Sequence, residues 1–218
     1  MTGHPPNALR WWCGLCALLL VAGDARSAAP TFQGTSGPVP QATAERMTEQ
    51  SWRKGCPVPI ADLAYLRLSH YGYDGAVHQG VLVVHKQLAA EVLEVFKSLF
   101  AQRFPIEKMR LIDEYRGDDD LSMADNNTSG FNCRPVAGKP QVFSKHSFGQ
   151  AIDVNPLTNP MLIAGVTYPP AGAAFANRQK QVPGILRQDD KAVREFTRRG
   201  WTWGGSWTSM KDYQHFEK

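Results

Sequence analysis

Between Gly80 and Phe104 the chain changes its hydrophobic period once, and that change limits the fold more than any other feature. Gly80 to His85 (GVLVVH) is a β-branched run of strand length. From Lys86 to Phe104, Leu88, Val92, Val95, Phe96, Leu99 and Phe100 recur at helical spacing, and Pro105 closes the pattern. Elsewhere the elements are shorter. Leu63 to His70 alternates apolar and polar residues ahead of a Gly72/Gly75 turn, and Lys108 to Tyr115 has strand composition. Asp189 to Arg199 reads as a helix ended by Gly200, and Trp201 to Trp203 as a strand before a Gly204-Gly205 turn. Arg116 to Gly130 reads as a polar loop, and Asn155 to Gln188 as irregular chain. Strands and helices are interspersed, with hairpin-like pairs favoured over βαβ units. The pattern predicts a single α+β domain, a small antiparallel sheet with flanking helices.

The N-terminus reads differently. A short polar stretch with Arg10 precedes an apolar run from Trp11 to Gly23, and small residues follow before Pro30. That is the three-part layout of a secretory signal peptide, and the run is shorter than the roughly 20 residues of a membrane span. An uncleaved anchor is the competing reading. The expected division is 1–29 signal peptide, 30–43 flexible lead-in rich in Pro, Gly, Ser and Thr, and 44–218 the working domain. The expected location is secreted or periplasmic, with no membrane attachment once the signal is cleaved.

Loss of 1–29 removes Arg10, Arg26 and Asp24, so the net charge of +4 falls to +3. Such a charge is too weak to argue for nucleic acid. Cys13 and Cys16 leave with the segment, and Cys56 and Cys133 remain. An even pair in an oxidising compartment predicts a disulfide, which in the chain-entropy model contributes about 4 kcal/mol. Two unrelated buried thiols are the alternative.

Two short stretches concentrate residues that can do chemistry. Ser144 to Asp153 (SKHSFGQAID) sets an imidazole and a carboxylate seven residues apart, and Asp212 to His215 (DYQH) sets a carboxylate and an imidazole three apart. Two histidines and one aspartate, with a position left for water, suit a catalytic zinc site, and a second carboxylate suits a general base. Spacing alone leaves His146 open as a core histidine and Asp153 as a strand-end cap. His78 and His85, also seven apart, have no accompanying carboxylate pattern and read as structural, His85 as the start of the following helix.

The two stretches fit Ser-x-His-x-x-Gly-x-Ala-x-Asp followed by Asp/Glu-x-x-His. In that order they resemble the D-Ala-D-Ala carboxypeptidase and L-Ala-D-Glu endopeptidase group of zinc peptidases, the VanY-like branch above all. That group belongs to the wider fold shared with lysostaphin and the Sonic hedgehog signalling domain. Asn126 to Arg134 (NNTSGFNCR) and Trp203 to Trp207 (WGGSW) are similar to flanking segments of the same branch. The resemblance runs from about Gly80 to Lys218.

The resemblance implies one catalytic Zn²⁺ held by His146, Asp153 and His215, with Asp212 taking a proton from zinc-activated water. It implies substrate contacts from Arg134, whose planar fork suits a carboxylate, and from Ser144. A surface salt bridge is the competing role for Arg134. Glu217 reads either as a partner orienting His215 or as a surface charge. Ser206 stands where many relatives carry an acid. Trp201, Trp203 and Trp207 read as core or as cleft lining. The implied substrate is a peptidoglycan stem peptide, cut by a monomer as a carboxypeptidase or an endopeptidase. A non-catalytic zinc module binding wall peptides or a protein partner is the reading from another class.

Overall fold

The computed structural model describes residues 1–3 and 29–218, so the signal-peptide reading lies almost wholly outside the described residues. The chain divides into Met1–Pro30 and Thr31–Lys218. The few described residues of the first unit form neither helix nor strand. The second unit carries the elements below.

Its first layer is an antiparallel sheet of order β1-β2-β3, from β1 (Gly34–Pro38), β2 (Leu63–Tyr71) and β3 (Val77–His85). Helix α1 (Gln41–Glu49) follows β1, and α2 (Ala89–Ala101) follows β3 through one 3-10 turn. The His85 ring accepts from the Gln87 N–H at 3.3 Å, so His85 starts this helix as its position suggested. Val92, Val95, Phe96 and Leu99 bury the inner face of α2 against Leu66, Leu68, Leu82 and Val84 of the sheet. The period change in the sequence thus marks the place where the strand hands its apolar face to the helix.

Residues 30–43 are not a flexible lead-in. Gly34 to Pro38 pair with Ala64 to Leu68 along the open edge of β2, and α1 starts at Gln41. Composition hid this strand for a physical reason. An edge strand pairs on one side only, and β1 buries almost none of its side chains, so no apolar alternation is required of it. What it supplies is backbone partners for β2.

The Lys108–Tyr115 strand is also shorter than expected. Only β4 (Lys108–Met109) pairs, parallel to β5 (Asn127–Thr128), before the chain turns into a 3-10 helix at Ile112–Tyr115. There the buried Asp113 carboxylate accepts from Ser51 Oγ at 2.7 Å. The polar loop after it contains α3 (Asp119–Ala124), whose N-cap Asp118 accepts from the Leu121 N–H at 3.0 Å.

The second half supplies short strands: β6 (Pro135–Val136), β7 (Lys139–Phe143), β8 (Ala151–Asp153), β9 (Met161–Ile163) and β10 (Val166–Tyr168). Helix α4 (Lys191–Thr197) follows, then β11 (Thr202–Trp203), β12 (Lys211–Asp212) and β13 (His215–Glu217). They form sheets of order β11-β13-β8 and β10-β9-β12 and a β6-β7 ribbon. The architecture is a small α+β domain, with several small, mostly antiparallel sheets in place of one.

The span expected to be irregular, Asn155 to Gln188, holds the β9-β10 hairpin and a 3-10 turn at Pro170–Phe175. Arg178 pins it, donating to the carbonyls of Thr158, Phe175 and Leu186 and lying 4.4 Å over the Tyr213 ring. Ile152 and Phe216 are fully buried, and Phe216 stacks on Phe196 of α4 at 3.9 Å. The site therefore grows from strands whose opposite face is welded into the core. Cys56 and Cys133 are disulfide-bonded, with Cα atoms 6.0 Å apart.

Candidate metal centre and active-site cleft

His146 comes from a single 3-10 turn, Lys145–Phe148, and Ser144 Oγ accepts its backbone N–H at 3.3 Å. Gly149 ends the turn at φ +65°, and a Cβ there would lie 2.4 Å from the His85 nitrogen. Conformation and space both demand glycine at this point of the motif. The chain then enters β8, where Asp153 is the cross-strand partner of His215 on β13, Ile152 of Phe216 and Ala151 of Glu217. Strand alternation sends Ile152 and Phe216 into the core and leaves Asp153, His215 and Glu217 on the other face. On its other edge β8 meets Ser129, which exchanges both backbone hydrogen bonds with Asp153.

Donor atoms of three residues converge on that face. His146 Nε2 lies 3.1 Å from Asp153 Oδ2 and 3.3 Å from His215 Nδ1, and His215 Nδ1 lies 2.9 Å from Asp153 Oδ1. All three residues are buried. A tetrahedral zinc ion with ligands near 2.1 Å would set its donors about 3.4 Å apart, close to these separations. The nitrogens turned away from the cluster have partners of their own. His146 Nδ1 meets the Gly130 carbonyl at 2.6 Å, and His215 Nε2 meets Glu217 Oε2 at 3.1 Å. Donation to those acceptors leaves Nε2 of His146 and Nδ1 of His215 as the nitrogens that can hold an ion.

The electrostatics favour positive charge here. Burial works against ionised Asp153, yet His146 and His215 hold its carboxyl well below the usual range. Burial also disfavours charged His215, but its bonds to Asp153 and Glu217 prevail and raise it to about 10. A metal ion would find an ionised carboxylate and two oriented imidazoles. The residues fit a zinc ion in number, chemistry and orientation.

Asp212, on β12, lines the same cleft as His146, Asp153 and His215, a space of about 930 Å³. Burial is the main reason its carboxyl is pushed up to about 6, with Asp153 adding to the effect and His215 opposing it. Its Oδ1 is buried without a hydrogen-bond partner among the described residues. Gly204 of the WGGSW segment passes so close that a Cβ would lie 2.6 Å from the Asp212 carbonyl oxygen. That glycine is what lets the loop pack against the strand bearing Asp212.

Arg134 and Ser144 also line the cleft. Arg134 Nη2 donates to Asp119 Oδ2 at 2.6 Å, while its Nε is buried without a partner among the described residues. The guanidinium thus has one edge in an ion pair and a donor still to be satisfied. Ser147 Oγ accepts the Arg134 N–H at 2.9 Å, tying this segment to the His146 turn. Trp201 and Trp203 belong to the core, while Trp207 lines the cleft with its ring 5.5 Å from that of His215. Ser206 is exposed, donates to the Trp203 carbonyl at 2.7 Å and is not part of the cleft lining.

His70 and His78 stack at 5.7 Å across the β2-β3 hairpin, with His78 on Asp74 at the surface. They take no part in the cluster. The Gly130 carbonyl and Asp119 are site contributors that sequence reasoning missed. A backbone acceptor has no side-chain signature, and Asp119 sits in an acidic run that reads as solvated.

Residues 137–218 match a protein-family model described as D-alanyl-D-alanine carboxypeptidase. The matched segment contains His146, Asp153, Asp212, His215 and Glu217. It begins well after Gly80, so Gly130 and Arg134 stand outside it. No curated protein and no solved structure matches the chain.

Proposed function

We propose that this chain is a zinc-dependent peptidase that cleaves peptidoglycan stem peptides, most nearly as a D-alanyl-D-alanine carboxypeptidase. The observation that carries the reading is the convergence of His146, Asp153 and His215 in one cleft with Asp212, inside the segment that matches the family model. Bound zinc supplies Lewis acidity toward the scissile carbonyl and makes water reactive at neutral pH. His146, Asp153 and His215 hold the ion. Asp212 takes the proton from the attacking water and passes it to the departing amine. Its Oδ1, buried without a partner among the described residues, is an acceptor available for that proton. Arg134, which lines the cleft beside its ion pair with Asp119, receives a carboxylate of the substrate. Ser144 fixes the His146 turn and borders the substrate path.

An exported protein would meet this substrate in the periplasm or outside the cell, in keeping with the signal-peptide reading of 1–29. A second reading is an L-alanyl-D-glutamate-type endopeptidase. The cleft favours it in one respect, since about 930 Å³ leaves room beyond the two residues a carboxypeptidase must hold. A non-catalytic zinc module is disfavoured by Asp212, because burying a carboxylate with one oxygen left without a partner among the described residues costs stability that a binding role does not require. Incubation of the zinc-loaded protein with defined muropeptides, followed by mass analysis, tests the proposal. Loss of one terminal alanine marks the carboxypeptidase, split stems mark the endopeptidase, and zinc uptake without turnover marks the binding module.

A further inference from the structure

Glu217 is two residues past His215, so on β13 both side chains leave the same face. The residue opposite Glu217 is Ala151, whose single methyl leaves the carboxylate free to fold back along the strand. It does so, bringing Oε2 to 3.1 Å from His215 Nε2 while Nδ1 of the same ring faces Asp153 at 2.9 Å. The two candidate imidazole ligands are therefore oriented by different means. His146 is set by a backbone carbonyl that no side-chain change removes, whereas His215 depends on one carboxylate.

We infer that Glu217 is a positioning residue for the metal centre, holding His215 with Nε2 protonated and Nδ1 directed at the ion. The inference rests on the zinc-site reading above and extends it beyond the three ligands and the base. A carboxylate on the outer nitrogen strengthens the imidazole as a donor and fixes the ring plane at once. Without it, His215 can turn about its χ2 angle or carry its proton on Nδ1, and either change withdraws the ligand atom.

Zinc affinity of the full chain, measured by competition with a chromophoric chelator, tests this without reference to turnover. Wild type should bind one zinc, and Glu217→Ala should bind 10- to 100-fold more weakly, the usual effect of removing such a partner. Glu217→Gln keeps a carbonyl acceptor and should recover most of the affinity. Metal-free Glu217→Ala should keep a folded circular dichroism spectrum and a single cooperative unfolding transition, which separates ligand positioning from loss of the fold. Wild-type affinity in Glu217→Ala overturns the inference while leaving the zinc site standing. Equal loss in both variants overturns it too, since an acceptor is then not the requirement. Absence of zinc binding by wild type overturns the site itself.

Discussion

Asp153 and His215 face each other as cross-strand partners of β8 and β13, with His215 Nδ1 2.9 Å from Asp153 Oδ1. The pair is part of the sheet register, so the spacing of two candidate ligand atoms is set by backbone hydrogen bonds. A charged His215 satisfies both carboxylates it meets, Asp153 through Nδ1 and Glu217 through Nε2. Its pKa, raised from 6.5 to about 10, gives stability that is complete below 6.5 and lost as pH rises through 10. Nδ1 of His215 would have to give up its proton before it could hold a metal ion. Titration calorimetry at pH 7.5 in buffers of different ionisation enthalpy should therefore show release of about one proton per zinc. A heat independent of buffer would contradict this.

Asp212 shows the opposite relation between function and stability. Its folded pKa of about 6, against an ordinary 3.8, means that its stabilising contribution is complete below 3.8 and lost as pH rises through 6. At pH 7.5 the metal-free protein carries a buried charge with an unpartnered oxygen. Asp212→Asn should stabilise metal-free protein there by about 1–3 kcal/mol in urea unfolding, and its advantage should vanish by pH 4. The same variant should lose peptidase activity by about 10²-fold or more. A destabilised Asp212→Asn at pH 7.5 would show that the carboxylate has a partner the geometry does not reveal.

Gly149 should tolerate no side chain. Gly149→Ala meets both a left-handed backbone and the His85 nitrogen at 2.4 Å. The left-handed conformation alone costs about 1–2 kcal/mol, and the collision adds to it. Chemical denaturation should show a loss of at least about 2 kcal/mol, and chelator competition should show weaker zinc binding because the His146 turn is displaced. Gly55 has a similarly positive φ with open space around its Cβ, and Gly55→Ala should cost no more than about 1–2 kcal/mol and leave zinc affinity intact.

The disulfide joins the segment before β2 to the residue preceding Arg134. Replacing both Cys56 and Cys133 with serine should lower stability by about 2–4 kcal/mol. Zinc binding should persist in the double variant, since the three ligands are fixed by β8, β13 and the His146 turn. Mass spectrometry of the unreduced protein finding two free thiols would remove the prediction.

The legible parts of this fold were those where one face is buried and the other is not. The β3 to α2 transition was visible because Val92, Val95, Phe96 and Leu99 must all meet the sheet. β1 was invisible because an exposed edge strand needs only backbone, and the strand expected over Lys108 to Tyr115 stopped at Met109, where the chain turns into its 3-10 helix. At the site, spacing alone left His146 and Asp153 open, and it was the motif resemblance that grouped them with His215 and Asp212, which the fold brings into one cleft. The Gly130 carbonyl, the Asp119 partner of Arg134 and the hold of Arg178 on the Asn155–Gln188 span come from long-range contacts that spacing does not encode.

Asp212 and the His146–Asp153–His215 centre are proposed to hydrolyse a wall peptide together. That proposal is tested most directly by mass analysis of muropeptides incubated with zinc-loaded wild type and with zinc-loaded Asp212→Ala. Wild type should give shortened stem peptides and Asp212→Ala intact ones at equal zinc content. Unchanged muropeptides with wild type, or equal cleavage by both proteins, would contradict it.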